Sequence, residues 1–205
     1  EISACLVGSE MCIRDRDDFL SRICADYQQH HFAVLGPQIL SKDQKVISLM
    51  EPIAPRAVYI VHRWLIQCQL VLCRFIPGFF DAVDAVKNCV GKLRKPKKQA
   101  PTAGESKLQP QKDIMLRGCF WIFSPDYVER FDGLDDRTFL YREEQLLFIR
   151  LKKNGLHTYY DPELKIIHLE DAATNAVAKT EFKKRVFTLQ NEVKSMKILI
   201  DALKD

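Results

Sequence analysis

Two adjacent acids, Glu143 and Glu144, follow the aromatic-bearing stretch Arg137-Thr-Phe-Leu-Tyr-Arg142 and open a run with apolar residues at helical spacing. Residues 143–155 predict a helix that buries Leu147, Phe148 and Leu151, closes on Lys152, Lys153 and Asn154, and stops at Gly155. Acids in the first turn and bases in the last complement the helix dipole, and Gly supplies the stop. In an arbitrary helix, dipole complementarity would be the better account of the acid pair. Here the loop before it is apolar, so a carboxylate at the helix mouth beside Tyr141 is expected to stay ionised while partly shielded from water. Those are the conditions for a general base.

The chain that must position these acids has 205 residues, enough for one domain with a real core. It is 47% hydrophobic and 28% charged, with 8 Gly and 9 Pro, a globular composition. The net charge of +4 is mild but unevenly placed: residues 81–98 hold six Lys or Arg against two Asp, a surplus equal to the whole net charge. Seven cysteines at irregular spacing form no Cys-x-x-Cys pair and no zinc pattern, so they read as reduced, mostly buried thiols of a cytoplasmic protein. The apolar-leaning run 64–73 contains two Gln and ends at Arg74, too short and too polar to cross a bilayer.

Residues 1–16, EISACLVGSEMCIRDR, lack an initiator Met and a signal-peptide layout. Their CLVGSEMCIRDR portion resembles a translated sequencing-adaptor remnant, so the segment is expected to be non-native, with a short genuine strand over residues 4–7 as the rival reading. From Asp17 and Asp18 a helix is expected through Phe19, Leu20, Ile23 and Tyr27. A buried strand, His31-Phe-Ala-Val-Leu-Gly36, should follow and end at Gly36-Pro37. Helix then buried strand suggests an α/β layer with a parallel sheet. His30 and His31 at the junction read as surface residues.

Residues 46–55 should be irregular. Residues 54–98 read as a helical insertion, one helix broken at Pro77-Gly78 and a second from Asp81 to Val90, ending in Lys92-Leu-Arg-Lys-Pro-Lys-Lys98. Packing on the core with a solvated basic end is slightly favoured over a basic amphipathic patch on an anionic membrane surface. Nucleic acid is disfavoured, because no aromatic platform interleaves the bases. Residues 99–113 are polar and should form a flexible loop. A strand is expected over residues 114–124, with Gly118 marking a close approach to the backbone. A short Pro-initiated helix then runs from Ser124-Pro125 to about Arg130. Two short strands, 157–160 and 164–169, should be separated by Asp161-Pro162. A basic amphipathic helix over residues 178–203 closes the chain, with Val186, Leu189, Val193, Met196, Ile200 and Leu203 on one side.

Three elements in this order resemble glycosyltransferase family 2, the inverting enzymes of GT-A fold: Leu116-Arg-Gly-Cys-Phe-Trp-Ile-Phe-Ser124; Phe131-Asp-Gly-Leu-Asp135 continuing to Phe139-Leu-Tyr-Arg-Glu-Glu144; and Ile166-Ile-His168 followed by Glu170-Asp171 and Thr174-Asn175. The resemblance spans about residues 17–204 and is strongest over 113–175. It implies an α/β fold, an incomplete GT-A (Rossmann-like) sheet forming the acceptor-side half, with the helical insertion and a C-terminal amphipathic helix, so that residues 17–205 form a partial domain. It implies Glu144 as catalytic base, with Glu where Asp is usual, and Glu143 as a supporting acceptor. Gly118 and Cys119 would line the acceptor pocket with Tyr141. His168 would reach the metal or diphosphate, a role that stands level with that of a satisfied core His.

The implied partners are a nucleotide-sugar donor and a glycan or lipid-linked acceptor, with Mg²⁺ or Mn²⁺ as the cation and surface polysaccharide or glycan synthesis as the setting. The implied place is the cytoplasm or the inner membrane face. Asp15-Arg16-Asp17 spells the family's Asp-x-Asp metal motif but follows no credible strand and reads as coincidence. The donor-binding half is therefore expected to be missing. Two other classes compete: a non-catalytic module that binds anionic lipid or an acidic partner through the basic helices, and, less well supported, a metal-dependent hydrolase using Glu143, Glu144 and His168.

Overall fold

The computed structural model describes residues 3–5, 11–13, 18–41, 45–76, 78–93, 109–168 and 180–204. Its elements in chain order are β1 (Ser3–Cys5), β2 (Met11–Ile13), α1 (Phe19–His30), β3 (Val34–Leu40), α2 (Arg56–Phe75), α3 (Phe79–Leu93), β4 (Gln111–Lys112), β5 (Trp121–Phe123), α4 (Pro125–Val128), α5 (Glu143–Lys153), β6 (Thr158–His168) and α6 (Glu181–Ala202). The protein is mixed α/β. Its sheet runs β1-β5-β3-β6-β2, with β4 added on β6. Only β3 and β6 pair in parallel, and the other pairs are antiparallel, so the sheet is mixed rather than parallel. The strands β1 and β2, from the segment set aside on sequence, hold the two edges. Edge pairing uses backbone groups that any sequence carries.

Alternation along the strands divides the core between the two faces of the sheet. Leu35, Ile39, Ile122, Tyr159 and Ile166 meet Phe19 and Ile23 of α1 on one face. Val34, Trp121, Phe123 and Tyr160 meet Leu147 and Leu151 of α5 on the other. A third cluster joins Tyr59 and Ile66 of α2, Leu146 of α5, and Met196, Leu199 and Ile200 of α6. Thus α5 is gripped on two sides: its Leu147 face lies on the sheet and Leu146 on the outer helices. Phe148, expected in the core, is half-buried.

Several boundaries differ from the sequence reading for local reasons. Gly36-Pro37 lies inside β3 rather than ending it. The register against β6 shifts between Pro37 and Gln38, where Pro37 faces Asp161 and Gln38 faces Lys165. A proline lacking its N–H is tolerated at such a bulge. The same bulge carries Asp161-Pro162 within β6, joining two expected strands into one of 11 residues. The strand expected over 114–124 contracts to Trp121–Phe123, because Gly118 and Cys119 form a turn. Gln111–Lys112, expected in the flexible loop, pairs with Tyr159 and Tyr160. Residues 94–108, which include most of that loop and the basic run from Arg94, lie outside the described residues. Of the five cysteines whose side-chain exposure is described, Cys24 and Cys89 are exposed and only Cys73 is buried, so these thiols are less sheltered than composition suggested. His31 is exposed as expected, whereas His30 stacks on Tyr159 with ring centroids 4.2 Å apart.

The α1 helix is tied to the β6 bulge by charge. Arg22 Nε donates to Asp161 Oδ2 at 2.6 Å, and Asp161 is wholly buried. Asp26, one turn along, is also buried, and its Oδ2 has no hydrogen-bond partner. Burial, and then the charge of Asp161, push the Asp26 carboxyl up to about 7. Burial, with the charges of Asp26 and Asp161 behind it, likewise lifts the Tyr159 hydroxyl to about 12. Folded Asp26 keeps its proton after the unfolded chain has released it. Its contribution to stability is therefore complete below pH 3.8 and is lost as pH rises to about 7. Asp26→Asn, which is neutral at every pH, should gain on the order of 2 kcal/mol over wild type above that window and nothing below it. Urea melts on both sides of the window check this, and a constant difference between the two proteins would refute the protonated Asp26.

Candidate functional site

The acids sit where helix punctuation placed them. α5 begins at Glu143, Glu144 lies in its first turn, and Gly155 follows the last turn with φ of 66°. What delivers them is a contorted loop, with non-glycine residues in left-handed geometry at Leu140 (φ 71°) and Arg142 (φ 74°). Such backbone persists only where surrounding contacts over-determine it. Here α6 supplies them. The Tyr141 hydroxyl donates to Thr188 Oγ1 at 3.1 Å, and Arg142 Nη2 donates to Glu192 Oε1 with both side chains mostly buried. The Arg142 guanidinium also lies over the Tyr59 ring of α2 at 5.7 Å.

The turn before this loop is held from α5 itself. Arg150 Nη1 donates to the Gly133 carbonyl at 2.8 Å, and its guanidinium lies over the Phe131 ring at 5.1 Å. Arg137 donates to Asp135 at 2.5 and 2.7 Å and keeps that carboxyl below its ordinary range. The Phe131-Asp-Gly-Leu-Asp135 motif is thus a turn folded onto the helix that carries the acids.

The two acids have different surroundings. Burial pushes the Glu143 carboxyl up, opposed by hydrogen bonds from backbone N–H groups, including that of Tyr141, and from Thr138. Glu143 is accordingly an acceptor that stitches the loop to the helix start. Glu144 turns instead to the Gly118 peptide, whose N–H donates to Glu144 Oε1 at 3.3 Å. A Cβ on Gly118 would stand 2.9 Å from that oxygen and 3.1 Å from Cδ, so a glycine is what admits the carboxylate. Gly118 has no left-handed backbone, and the requirement is one of space. Glu144 Oε2 makes no hydrogen bond among the described residues.

The other expected site residues do not converge on this contact. Cys119 packs against the core cluster on the α1 side of the sheet, whereas Gly118 faces Glu144 of α5. Tyr141 is committed to Thr188 rather than turned toward an acceptor, and the loop gives little shelter: Phe139 and Leu140 are 61% and 51% exposed. His168 ends β6, half-buried, with a buried Nδ1 that has no hydrogen-bond partner. Among the described residues no three His, Cys, Asp or Glu side chains gather as a metal site. The Asp-x-Asp spelling at 15–17 and the acids after His168 lie outside the described residues. In four clefts lined by described residues, none of these site residues takes part. The cleft of about 570 Å³ lies instead at the far end of α5, between Ile53, Met115, Phe148 and Lys152.

Sequence reasoning missed Thr138, Arg142, Thr188 and Glu192, the residues that hold the loop. Their partners are distant in the chain (Arg142 and Glu192 are 50 residues apart), and no local pattern announces such a pairing. No family model matches the chain, and no curated protein and no solved structure matches it.

Proposed function

We propose that this chain carries the acceptor-activating part of an inverting glycosyltransferase of family-2 type, with Glu144 as the base. The observation that carries the reading is the contact between Glu144 and the Gly118 peptide. It holds a carboxylate at a helix N-terminus, where the dipole favours negative charge, by one oxygen only. The second oxygen is free to take a proton from an incoming hydroxyl. In the proposed step Glu144 Oε2 removes the acceptor hydroxyl proton while that oxygen bonds to the anomeric carbon of a nucleotide-sugar. The carbon–oxygen bond to the diphosphate breaks, its electron pair leaves with the diphosphate, and the anomeric configuration inverts.

The GT-A, Rossmann-like identity of the sheet belongs to this proposal, as do the glycan or lipid-linked acceptor and the divalent cation. On this reading His168 would reach the cation or the diphosphate, and the cation would stabilise the departing diphosphate. Glu143, Thr138, Arg142 and Tyr141 act on this reading as positioning residues that set the loop and the direction of α5.

The test is a transfer assay, run with the donor-binding half expected from sequence joined to this chain, with a panel of nucleotide-sugars, Mn²⁺ and saccharide or lipid-linked acceptors, together with amide spectra of the chain during acceptor titration. Product formation, with the Gly118 amide shifted by acceptor, is expected. No product from any donor and an unmoved Gly118 amide would overturn the reading. Gly118→Ala gives a sharper check. The new methyl group meets the end of a flexible side chain rather than backbone, so stability should change by no more than about 1 kcal/mol. The displaced carboxylate should nevertheless slow transfer by about a hundredfold. A rate that merely follows the loss of stability would argue that the contact only fastens the turn to α5.

A further inference from the structure

The α2 helix carries apolar residues on two opposite sides, and among the described residues only the inner one is covered. Tyr59, Ile66 and Cys73 are buried on the inner side, where Tyr59 and Ile66 pack with Met196 and Leu199 of α6. Outside, Val58, Val61, Trp64, Leu65, Val71 and Phe75 are exposed, with Trp64 at 62% and Phe75 at 77%. At 100° per residue these side chains fall within an unbroken arc of about 140°. Half-buried Gln69 and Gln67 flank the arc, with exposed His62 beyond the first and exposed Arg74 beyond the second. A contiguous exposed apolar face of this extent normally marks a surface that meets a partner or a membrane.

Charge identifies the cover. α2 has no Asp or Glu; of its three Arg, Arg56 and Arg63 donate to the Ile200 and Val193 carbonyls of α6, whereas Arg74 is exposed and lines a shallow cleft with the exposed Lys194 of α6. A second copy of the chain would bring like charge against like across the same face. An anionic lipid surface satisfies both features: its acyl boundary takes the apolar arc, and its headgroups take the flanking cations, with Trp at the interface. No helix of the described residues is long and apolar enough to cross a membrane. Lying flat, α2 would present roughly 30 Å of helix to the surface. From sequence, membrane contact centred on the basic end of the insertion, residues 92–98, most of which lies outside the described residues; the outer face of α2 is a separate surface.

We infer that α2 is a membrane-docking helix, which seats its Val61–Trp64–Val71–Phe75 face in the headgroup layer of an anionic bilayer. This does not rest on the role assigned to Glu144. The test uses the full chain with phosphatidylcholine vesicles, with and without phosphatidylglycerol, and with brominated acyl chains. The chain should sediment with the phosphatidylglycerol vesicles, and bromine should quench Trp64 while buried Trp121 keeps its emission. Trp64→Phe should remove the quenching and retain most of the binding. Val61→Glu combined with Val71→Glu, both at exposed positions, should weaken vesicle binding by about thirtyfold or more.

Three outcomes would overturn the inference. One is no sedimentation with anionic vesicles. Another is sedimentation without quenching of Trp64. The third is a chain that elutes as a dimer, is made monomeric by the paired Glu substitutions and binds no vesicles, which would give the face to a second copy. Should the doubly substituted chain fail to fold, the quenching of wild type decides alone.

Discussion

Glu144→Gln is expected to slow sugar transfer by about 10²–10⁴-fold while the protein melts at nearly the same temperature. Gln keeps the length of the side chain, and its carbonyl oxygen can still accept the Gly118 N–H that Glu144 Oε1 accepts. What it cannot do is take a proton. The loss of one negative charge near the α5 N-terminus should cost no more than about 1 kcal/mol. Glu143→Gln should behave differently. That acid is an acceptor for Thr138 and the Tyr141 N–H, and its carboxyl is already pushed up by burial. An amide oxygen can replace most of those interactions, so the rate should fall much less. Initial rates beside thermal melts for the two variants separate the roles. Equal rate losses accompanied by equal losses of stability would mean that the acids do no more than begin a helix.

Arg22→Met should destabilise the fold by about 3–5 kcal/mol, because it strands a buried carboxylate. Asp161 is wholly buried and receives Arg22 Nε at 2.6 Å; its other described help is the Glu163 N–H on Oδ1 at 2.8 Å. Asp26 beside it cannot compensate, since it brings either a neutral carboxyl or a second negative charge. For a chain of this size that loss corresponds to roughly 10 °C in melting temperature. Adding Asp161→Asn to Arg22→Met should recover much of it, since an amide needs no counter-charge. A double variant as unstable as the sum of the two single variants would show that Arg22 acts through packing of its stem and not through the pair.

Much of the fold is legible in the sequence, for reasons that differ by element. α5 can be read nearly to the residue, because acids at its start and Lys152, Lys153 and Gly155 at its end are local signals, decided within a turn or two of backbone. Gly118 can be read as a place of close approach, because a glycine set among apolar residues leaves room beside the backbone for another group. The approaching group cannot be read. Glu144 lies 26 residues away, and only the turn at Gly118 and Cys119 brings the two together. The same limit hides Asp161. Beside a proline it looks like a break between strands, whereas a bulge lets β6 continue and turns the acid inward to Arg22, 139 residues distant.

The sequence by itself determined which segments become helices, where α5 starts and stops, and that a pair of acids opens it, because helix formation depends on spacing and capping within a few neighbouring residues. The tertiary structure alone decided which acid faces Gly118, which stitches the loop, and how Tyr141 and Arg142 are anchored on α6. It also decided that the sheet is mixed and that α2 keeps a bare apolar face. Those outcomes depend on contacts between residues far apart in the chain, and a linear pattern carries no record of which distant surfaces meet.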